Sequence, residues 1–524
     1  MWLDRQHNVL VYDVKDPSRI LSAVQGSRRL HNGYVACPNN LYNLQLLSWL
    51  GLQVPAPMDE ANYDWPGRYR PFLAQRVTAN FLSVHPRAFV LSDMGTGKTL
   101  AALWGADYVL RQYPGNRALI VCPLSTMQRV WADAIFTHFL GKRTTVVLHG
   151  SAAKRRELLQ QPADFYIVNF DGVAVLAPEL EQRADIRMAI VDECSAYRDR
   201  TTKRHKIARK ILATRDYLWM MTGTPTPNGP LDAYGMAKLV NNCHGESYYS
   251  YQDRTMTKVS MYKWVPKSGS HAAAMQMLQP AVRFSIEQCT DLPPLTVQQR
   301  ECELSAGQQA AYKEMKRELV LQAKAGPITA ANEAVLRSKL IQISCGAVYG
   351  PGSVVRGEPD LHNLGRPVHY LDASPRLAAL REVAEQANEK IIVFAPLRSV
   401  LYMLYEELKK DYSCEMIHGD VSPKDRNEIF RAFQQDVDPR IIIADPGTVA
   451  HGLDLYAATT IVWYAPTDKT ELYLQANKRI HRPGQTKSCV VVQLAATAIE
   501  REIYRRLESN ETLQGLLLKL VQEQ

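Results

Sequence analysis

The segment Ser92-Asp-Met-Gly95-Thr96-Gly97-Lys98-Thr99 stands between an apolar run, Ala88-Phe-Val-Leu91, and a helical pattern, Leu100-Ala-Ala-Leu-Trp104. Strand, glycine loop and helix in that order leave a chain few options. The glycines let the backbone curl until its N–H groups converge, and the helix N-terminus adds its dipole, which together make a seat for phosphate. Gly95, Thr96 and Gly97 form the curl, Lys98 is placed to reach the β- and γ-phosphates, and the Thr99 hydroxyl is placed to ligate Mg²⁺. A plain glycine-rich turn is the alternative. The strict pattern begins with Gly where Ser92 stands.

A loop of this kind needs a parallel sheet behind it, and the sequence supplies two series of strands. The first is Ala88-Phe-Val-Leu91, Ala118-Leu-Ile-Val-Cys122, Thr145-Val-Val-Leu148, Phe165-Tyr-Ile-Val168, Ala189-Ile-Val191 and Tyr217-Leu-Trp-Met-Met221. The second is Ile391-Ile-Val-Phe394, Cys414-Glu-Met-Ile417, Ile441-Ile-Ile-Ala444, Ile461-Val-Trp-Tyr464 and Val490-Val-Val-Gln-Leu494. Continuous apolar runs separated by helix-length segments are buried on both faces, so the fold class is α/β with two tandem doubly wound parallel-sheet lobes. From about residue 229 to 375 no strand series appears, and the helical pattern around Ser305–Tyr312 and the turn-rich residues 346–365 read as a helical insertion and linker. Residues 497–521 read as a long amphipathic helix on the second lobe.

Composition excludes several classes. No apolar run approaches the ~20 residues that span a bilayer. The N-terminus shows no charged-then-apolar signal pattern, and the nine cysteines form no CxxC pair, so neither a zinc ribbon nor a disulfide scaffold is expected. A reducing, cytoplasmic setting with no membrane is the expectation. Lys plus Arg exceed Asp plus Glu by 62 − 53 = 9, which suits a polyanion partner without requiring one.

Two further groups carry chemistry. Asp192-Glu193 ends the apolar run Ala189-Ile-Val191, in the crevice where α/β sheets bind ligands. Asp192 is placed to hold Mg²⁺ and Glu193 to orient or deprotonate an attacking water. In Gln475-Ala-Asn-Lys-Arg479-Ile-His-Arg482-Pro-Gly-Gln485, Arg479 and Arg482 share a face if the segment is helical, as a polyphosphate would require; a solvated basic helix is the alternative.

Taken in order, these segments resemble superfamily 2 helicases and translocases, most closely the Swi/Snf-type ATPases, from about residue 68 to 494. Tyr69-Arg-Pro-Phe-Leu-Ala-Gln75 resembles the adenine-reading Q motif, residues 92–99 motif I, and Ile120-Val-Cys-Pro-Leu-Ser125 with Trp131 motif Ia. Asp192-Glu-Cys-Ser195 stands at motif II, and Leu218-Trp-Met-Met-Thr222-Gly-Thr-Pro-Thr-Pro-Asn228 is similar to the branch's LTGTPxxN. Leu292-Pro-Pro294 and Ser374-Pro-Arg-Leu377 resemble its connecting segments. Residues 390–396 match motif IV, His418-Gly419 the next block, Gly452-Leu-Asp454-Leu455 motif V, and Gln475, Arg479 and Arg482 motif VI. The sequence departs from the family at Ser92, at Ser195 (usually His, Gln or Asp) and at Asp454 (usually Asn).

The resemblance implies RecA-like lobes at residues 66–240 and 376–524, joined by the insertion at 241–375 and preceded by a small accessory region at 1–65. It implies ATP and Mg²⁺ as cofactors, with Gln75, Gly95, Thr96, Gly97, Lys98, Thr99, Gly452 and Asp454 binding nucleotide. Thr99 and Asp192 would hold the metal, and Lys98, Glu193, Gln475, Arg479 and Arg482 would act in catalysis, the arginines as fingers. The chain's compactness resembles the small helicases of tailed bacteriophages and the annealing-helicase branch, and residues 31–58 resemble the segment before the motor in those phage proteins, with a likeness to the HARP-like element that reads forks. The implied partner is DNA, duplex or forked, with single strands an alternative; a monomer is expected, in the host cytoplasm for a phage-encoded chain. Phosphate-backbone contacts are expected at Ser125 and Thr126; Arg198, Lys203 and Arg204 within the basic stretch 198–215 are further candidates, with a solvated helix face as the alternative. The aromatic and basic residues of 248–267 fit either single-strand stacking or plain packing. A strand-separating DNA or RNA helicase and a nucleic-acid scaffold with an inactive motor are the competing readings.

Overall fold

The computed structural model describes residues 1–31, 33–259, 264–289, 292–325, 330–350, 367–449, 455–482 and 484–509. They form two compact units, Met1–Thr290 and Asp291–Gln524. Among the described residues no helix is long and apolar enough to cross a membrane.

The first unit begins with a four-stranded antiparallel sheet in the order Trp2–Asp4, Val9–Tyr12, Val35–Pro38, Arg28–Arg29. Leu10, Tyr12, Val35 and Cys37 pack from it against Leu44 and Leu47 of the helix Leu41–Trp49. That helix joins the region to the lobe behind it: the Gln45 amide donates to Ser83 O at 2.8 Å and to the Tyr217 hydroxyl at 3.0 Å.

The lobe itself is a seven-stranded parallel sheet. Its order is Ala281–Val282, Arg87–Val90, Tyr217–Met221, Ile186–Asp192, Arg117–Cys122, Phe165–Asn169, Thr145–Val147. Every residue of Tyr217–Met221 is buried, as expected of a central strand covered on both faces. The register aligns Val90 and Asp192 with Met221, and Val121 with Val191. Four neighbouring strands therefore end together, and each is followed by one of the sequence motifs.

The second unit holds a six-stranded parallel sheet in the order Leu295–Glu301, Cys489–Ala495, Ala458–Trp463, Lys390–Phe394, Ile441–Ala444, Cys414–Ile417. Both series of strands read from the sequence are present. The segment read as a strand-free insertion is not one body. Its first part, with helices Tyr248–Thr255 and Ser270–Met277, belongs to the first unit and ends in Ala281–Val282. The remainder belongs to the second unit, where Leu295–Glu301 pairs over seven residues with Cys489–Ala495. The two compact units divide at Thr290/Asp291, inside the segment read as insertion and linker. The reason such strands escape a sequence reading is chemical: Leu295-Thr-Val-Gln-Gln-Arg-Glu301 is an exposed edge strand with no apolar run, and Ala281–Val282 is two residues long. Most of the turn-rich stretch 346–365 and the end of the expected C-terminal helix lie outside the described residues; the helix is described over Ala498–Ser509.

A buried ion pair organises the second unit. Arg376, at the start of the helix Ser374–Gln386, meets Glu500 at 2.6 Å, and both side chains are essentially inaccessible. Arg376 also donates to Tyr464 O at 2.8 Å. Glu500 accepts from the Ser344 hydroxyl through Oε1, and through Oε2 from the Ala496 and Thr497 N–H groups and the Thr497 hydroxyl, all within 3.1 Å. Removing one partner strands a buried charge. Arg376→Ala and Glu500→Ala are each expected to destabilise this unit by about 3–5 kcal/mol, with the double variant less destabilised than the sum, as urea denaturation of the four proteins would read.

Candidate functional site

The loop after Arg87–Val90 adopts the curl its glycines allow. Gly95 and Gly97 have φ of +84° and +75°, and the helix Lys98–Gln112 starts directly after Gly97. The Thr96 hydroxyl closes the turn on Asp93 O at 2.8 Å. Lys98 folds back over the loop and donates to Ser92 O at 2.7 Å and Asp93 O at 2.8 Å. Thr99 is half-buried in the first helical turn.

Gln75 lies against this loop. It is 6% exposed, its Nε2 donates to Gly97 O at 3.3 Å and its Oε1 accepts from Phe72 N–H at 2.9 Å. A Cβ at position 97 would stand 2.1 Å from Gln75 Nε2. Glycine is thus required twice, for its left-handed φ and for this approach. Gly223 serves a similar end: a Cβ there would lie 3.0 Å from Met94 Cγ and 3.2 Å from Met94 N, so the Thr222-Gly223-Thr224 segment abuts the phosphate loop.

The carboxylates occupy the end of the neighbouring strand. Asp192 Oδ2 accepts from Trp131 Nε1 at 3.1 Å and Oδ1 from Glu193 N–H at 3.1 Å. Burial pushes the Asp192 carboxyl up from its ordinary range, and the Lys98 ammonium, the indole N–H and the Glu193 N–H oppose that shift. A carboxylate in electrostatic contact with the phosphate-loop lysine, with a hydroxyl at Thr99, fits a hard oxygen-seeking cation such as Mg²⁺. Among the described residues no three His, Cys, Asp or Glu side chains gather as a metal cluster. Glu193 has φ +50° and accepts from the Thr222 hydroxyl at 3.4 Å; the same hydroxyl accepts from Thr224 N–H at 3.1 Å. Ser195, at the position where Swi/Snf-type motifs usually carry His, Gln or Asp, is buried.

The structure brings Lys98, Gln75, Asp192 and Glu193 together around the phosphate loop. Trp131, Thr222 and Gly223 belong with them. Their signal was their place in the motifs, but what they contact depends on the strand order.

In the second unit Gln475 is fully buried in the helix Thr470–Asn477, and its Nε2 donates to Glu471 Oε1 at 3.3 Å. Arg479 is 3% exposed and its carbonyl accepts from Leu455 N–H at 3.0 Å; Arg482 is half-buried and its Nε donates to Lys478 O at 3.0 Å. The expected helical face is corrected here: the helix ends at Asn477, and both arginines lie on the turn that follows. The sequence Arg482-Pro483-Gly484 disfavours helix, since a residue before proline is pushed towards extended geometry. Gln485 bolts this turn down, donating to Tyr456 O, Ala458 O and Ile480 O. Gly452 and Asp454 lie outside the described residues.

Of the residues expected to meet nucleic acid, Ser125 is exposed on the turn Leu124–Thr126. Thr126 is not available: it is 5% exposed, and both its hydroxyl and its N–H donate to Pro123 O, closing the turn on itself. Lys203 is exposed at the start of the helix Lys203–Ile211, and Arg204 beside it pairs with Asp171 at 2.7 Å. Arg198 is half-buried in a cleft of about 340 Å³ with Arg200, whose guanidinium sits 4.1 Å from the Tyr248 ring centre. Arg215 is structural, donating to four carbonyls at Ile211, Arg183, Ile186 and Leu180. Tyr251 is core, its hydroxyl donating to Pro230 O at 2.8 Å, which favours packing for that aromatic stretch; Tyr262 and Lys263 lie outside the described residues.

The family models agree with this geometry. The SNF2-related domain matches residues 74–344, and the helicase conserved C-terminal domain matches residues 375–484. The chain belongs to the SNF2-related family. A SWI/SNF-related matrix-associated actin-dependent regulator of chromatin subfamily A-like protein 1 from Xenopus tropicalis is 25% identical over 430 residues, covering 80% of this chain and 42% of the relative. The chain thus spans less than half the length of that relative. The phage protein p41 from Acyrthosiphon pisum secondary endosymbiont phage 1 is 23% identical over 479 residues, covering 86% of this chain and 98% of p41. Among solved structures, the SWI2/SNF2 ATPase core of Sulfolobus solfataricus in complex with dsDNA covers 85% of this chain and 92% of its own at 19% identity, with a TM-score of 0.40.

The tight contact at Gly97 yields a direct check. Gly97→Ala is expected to weaken binding of a fluorescent ATP analogue by about tenfold or more, equivalent to ~1.4 kcal/mol. Unchanged affinity would mean that the loop does not seat phosphate in this conformation.

Proposed function

We propose that this chain is an ATP-dependent DNA translocase that couples nucleotide hydrolysis to movement along duplex or forked DNA. The observation that carries the reading is the convergence of Lys98, Asp192, Glu193 and the Thr222-Gly223 segment at the aligned ends of adjacent strands, in a chain of the SNF2-related family. Gln75 orders the loop from the side where the adenine is read. On binding, the triphosphate draws Lys98 from Ser92 O and Asp93 O onto its own oxygens. Thr99 and Asp192 would hold Mg²⁺, which would supply charge neutralisation at the phosphates. Glu193, fixed by the Thr222 hydroxyl, orients the attacking water. Arg479 and Arg482 are assigned to the charge that develops on the transferred phosphoryl group.

The substrate reading draws on membership of the SNF2-related family. The exposed Ser125 and Lys203 suit contacts to phosphates, which carry no sequence information and so permit tracking. The likeness to phage p41 fits action in the cytoplasm of an infected cell, and the chain is read as a monomer.

Phosphate release measured with single-stranded, duplex, forked and RNA cofactors is expected to be stimulated most by duplex or forked DNA. No release with any of them would leave only a binding scaffold. A triplex strand ahead of the protein is expected to be displaced with ATP; separation of a tailed duplex without triplex displacement would make the chain a strand-separating helicase. Lys98→Ala is expected to abolish turnover while DNA binding persists in a mobility-shift assay. Arg482→Ala is expected to lower turnover by about 10³-fold with a smaller change in ATP affinity, and unchanged turnover would remove Arg482 from the reaction.

A further inference from the structure

The outer neighbour of the strand Arg87–Val90 is Ala281–Val282, and the pairing continues past the end of both strands. Phe89 N–H donates to Pro280 O, Leu91 N–H to Val282 O and Asp93 N–H to Phe284 O, each at 2.9 Å. The last of these bonds lies inside the phosphate loop. Ser92, 2% exposed, adds a bond in the opposite sense, its Oγ accepting from Phe284 N–H at 3.0 Å. Phe284 is therefore held at both its backbone groups, the N–H by the Ser92 side chain and the carbonyl by the Asp93 backbone.

The same two loop residues hold Lys98 through their carbonyls. A triphosphate that takes Lys98 deprives both carbonyls of their donor, and the peptide planes at 92 and 93 readjust. The Ser92–Asp93 plane also carries Phe284 through the Asp93 N–H, and Phe284 lies a few residues before Asp291, where the second unit begins. A glycine at 92, as in the strict motif, makes the same turn but offers no oxygen to Phe284.

We propose that Ser92 is a positioning residue whose hydroxyl ties the phosphate loop to residues 281–288, so that nucleotide occupancy resets the chain leading into the second unit. This rests on the nucleotide reading above and adds to it a route out of the site. Cys289, partly exposed at the end of the same segment, interacts electrostatically with Asp93 and Lys98, which makes its thiol a native reporter.

The test is hydrogen exchange read by mass spectrometry on the full chain and on Ser92→Ala, Ser92→Gly and Ser92→Thr, with and without a non-hydrolysable ATP analogue. Without nucleotide, the Phe284 amide is expected to exchange about tenfold faster in the Ala and Gly variants, which lose one hydrogen bond, and near the wild-type rate in Thr. In wild type the analogue is expected to change Phe284 exchange and to slow alkylation of Cys289. In the Ala and Gly variants the analogue still binds but the Phe284 response is lost. Equal exchange in nucleotide-free wild type and Ser92→Ala, or a nucleotide response retained in Ser92→Ala, overturns the proposal. Direct titration separates it from the parent reading. A wild type that binds no analogue brings down both; one that binds it with Phe284 unmoved brings down this inference alone.

Discussion

The Lys98 ammonium and the oxygens around it govern the first unit. Two loop carbonyls, Ser92 O and Asp93 O, hold the cation, and the Asp192 carboxylate feels it from the next strand but one. A buried carboxylate is costly unless it is charge-compensated and hydrogen-bonded. Trp131 and the Glu193 N–H complete that requirement. The strand order makes this possible: with the strands ending at Val90, Met221 and Asp192 side by side in that order, the lysine, the Thr222 hydroxyl and the acidic pair fall within reach of one another.

Much of this was legible in the chain. Runs such as Ile441-Ile-Ile-Ala444 and Tyr217-Leu-Trp-Met-Met221 are buried along their whole length, so apolar continuity alone located them. What escaped was whatever a neighbour decides. Leu295–Glu301 is a strand because Cys489–Ala495 offers it a ladder, although its own side chains are polar and exposed. Thr126 resembles a phosphate contact in sequence, yet the turn claims its hydroxyl and its N–H. Arg479 and Arg482 have helical spacing, but the helix stops before them. The Phe284 amide had no signal at all, since a backbone donor is the same in every residue.

The second unit applies the same economy of charge to architecture. Glu500 stands at the head of the helix Ala498–Ser509, where it takes up two backbone N–H groups that the helix start leaves without partners, and it reaches Arg376 on a different helix. One carboxylate thus fixes two helices and, through Ser344, a third. The segment Ser374-Pro-Arg-Leu377, noticed first as a family likeness, owes its arginine to this junction.

An open parallel sheet leaves two unpaired borders, each a template for adhesion to other chains. Here two pieces that are neighbours in sequence form one border of each sheet, and both are blunted: Ala281–Val282 is two residues long, and Leu295–Glu301 is polar and exposed. A single stretch of backbone therefore keeps a more apolar strand paired in each lobe, Arg87–Val90 in one and Cys489–Ala495 in the other. Proteolytic nicking between residues 282 and 295 would loosen both coverings at once, so aggregation should follow such cleavage more readily than cleavage in a surface loop elsewhere.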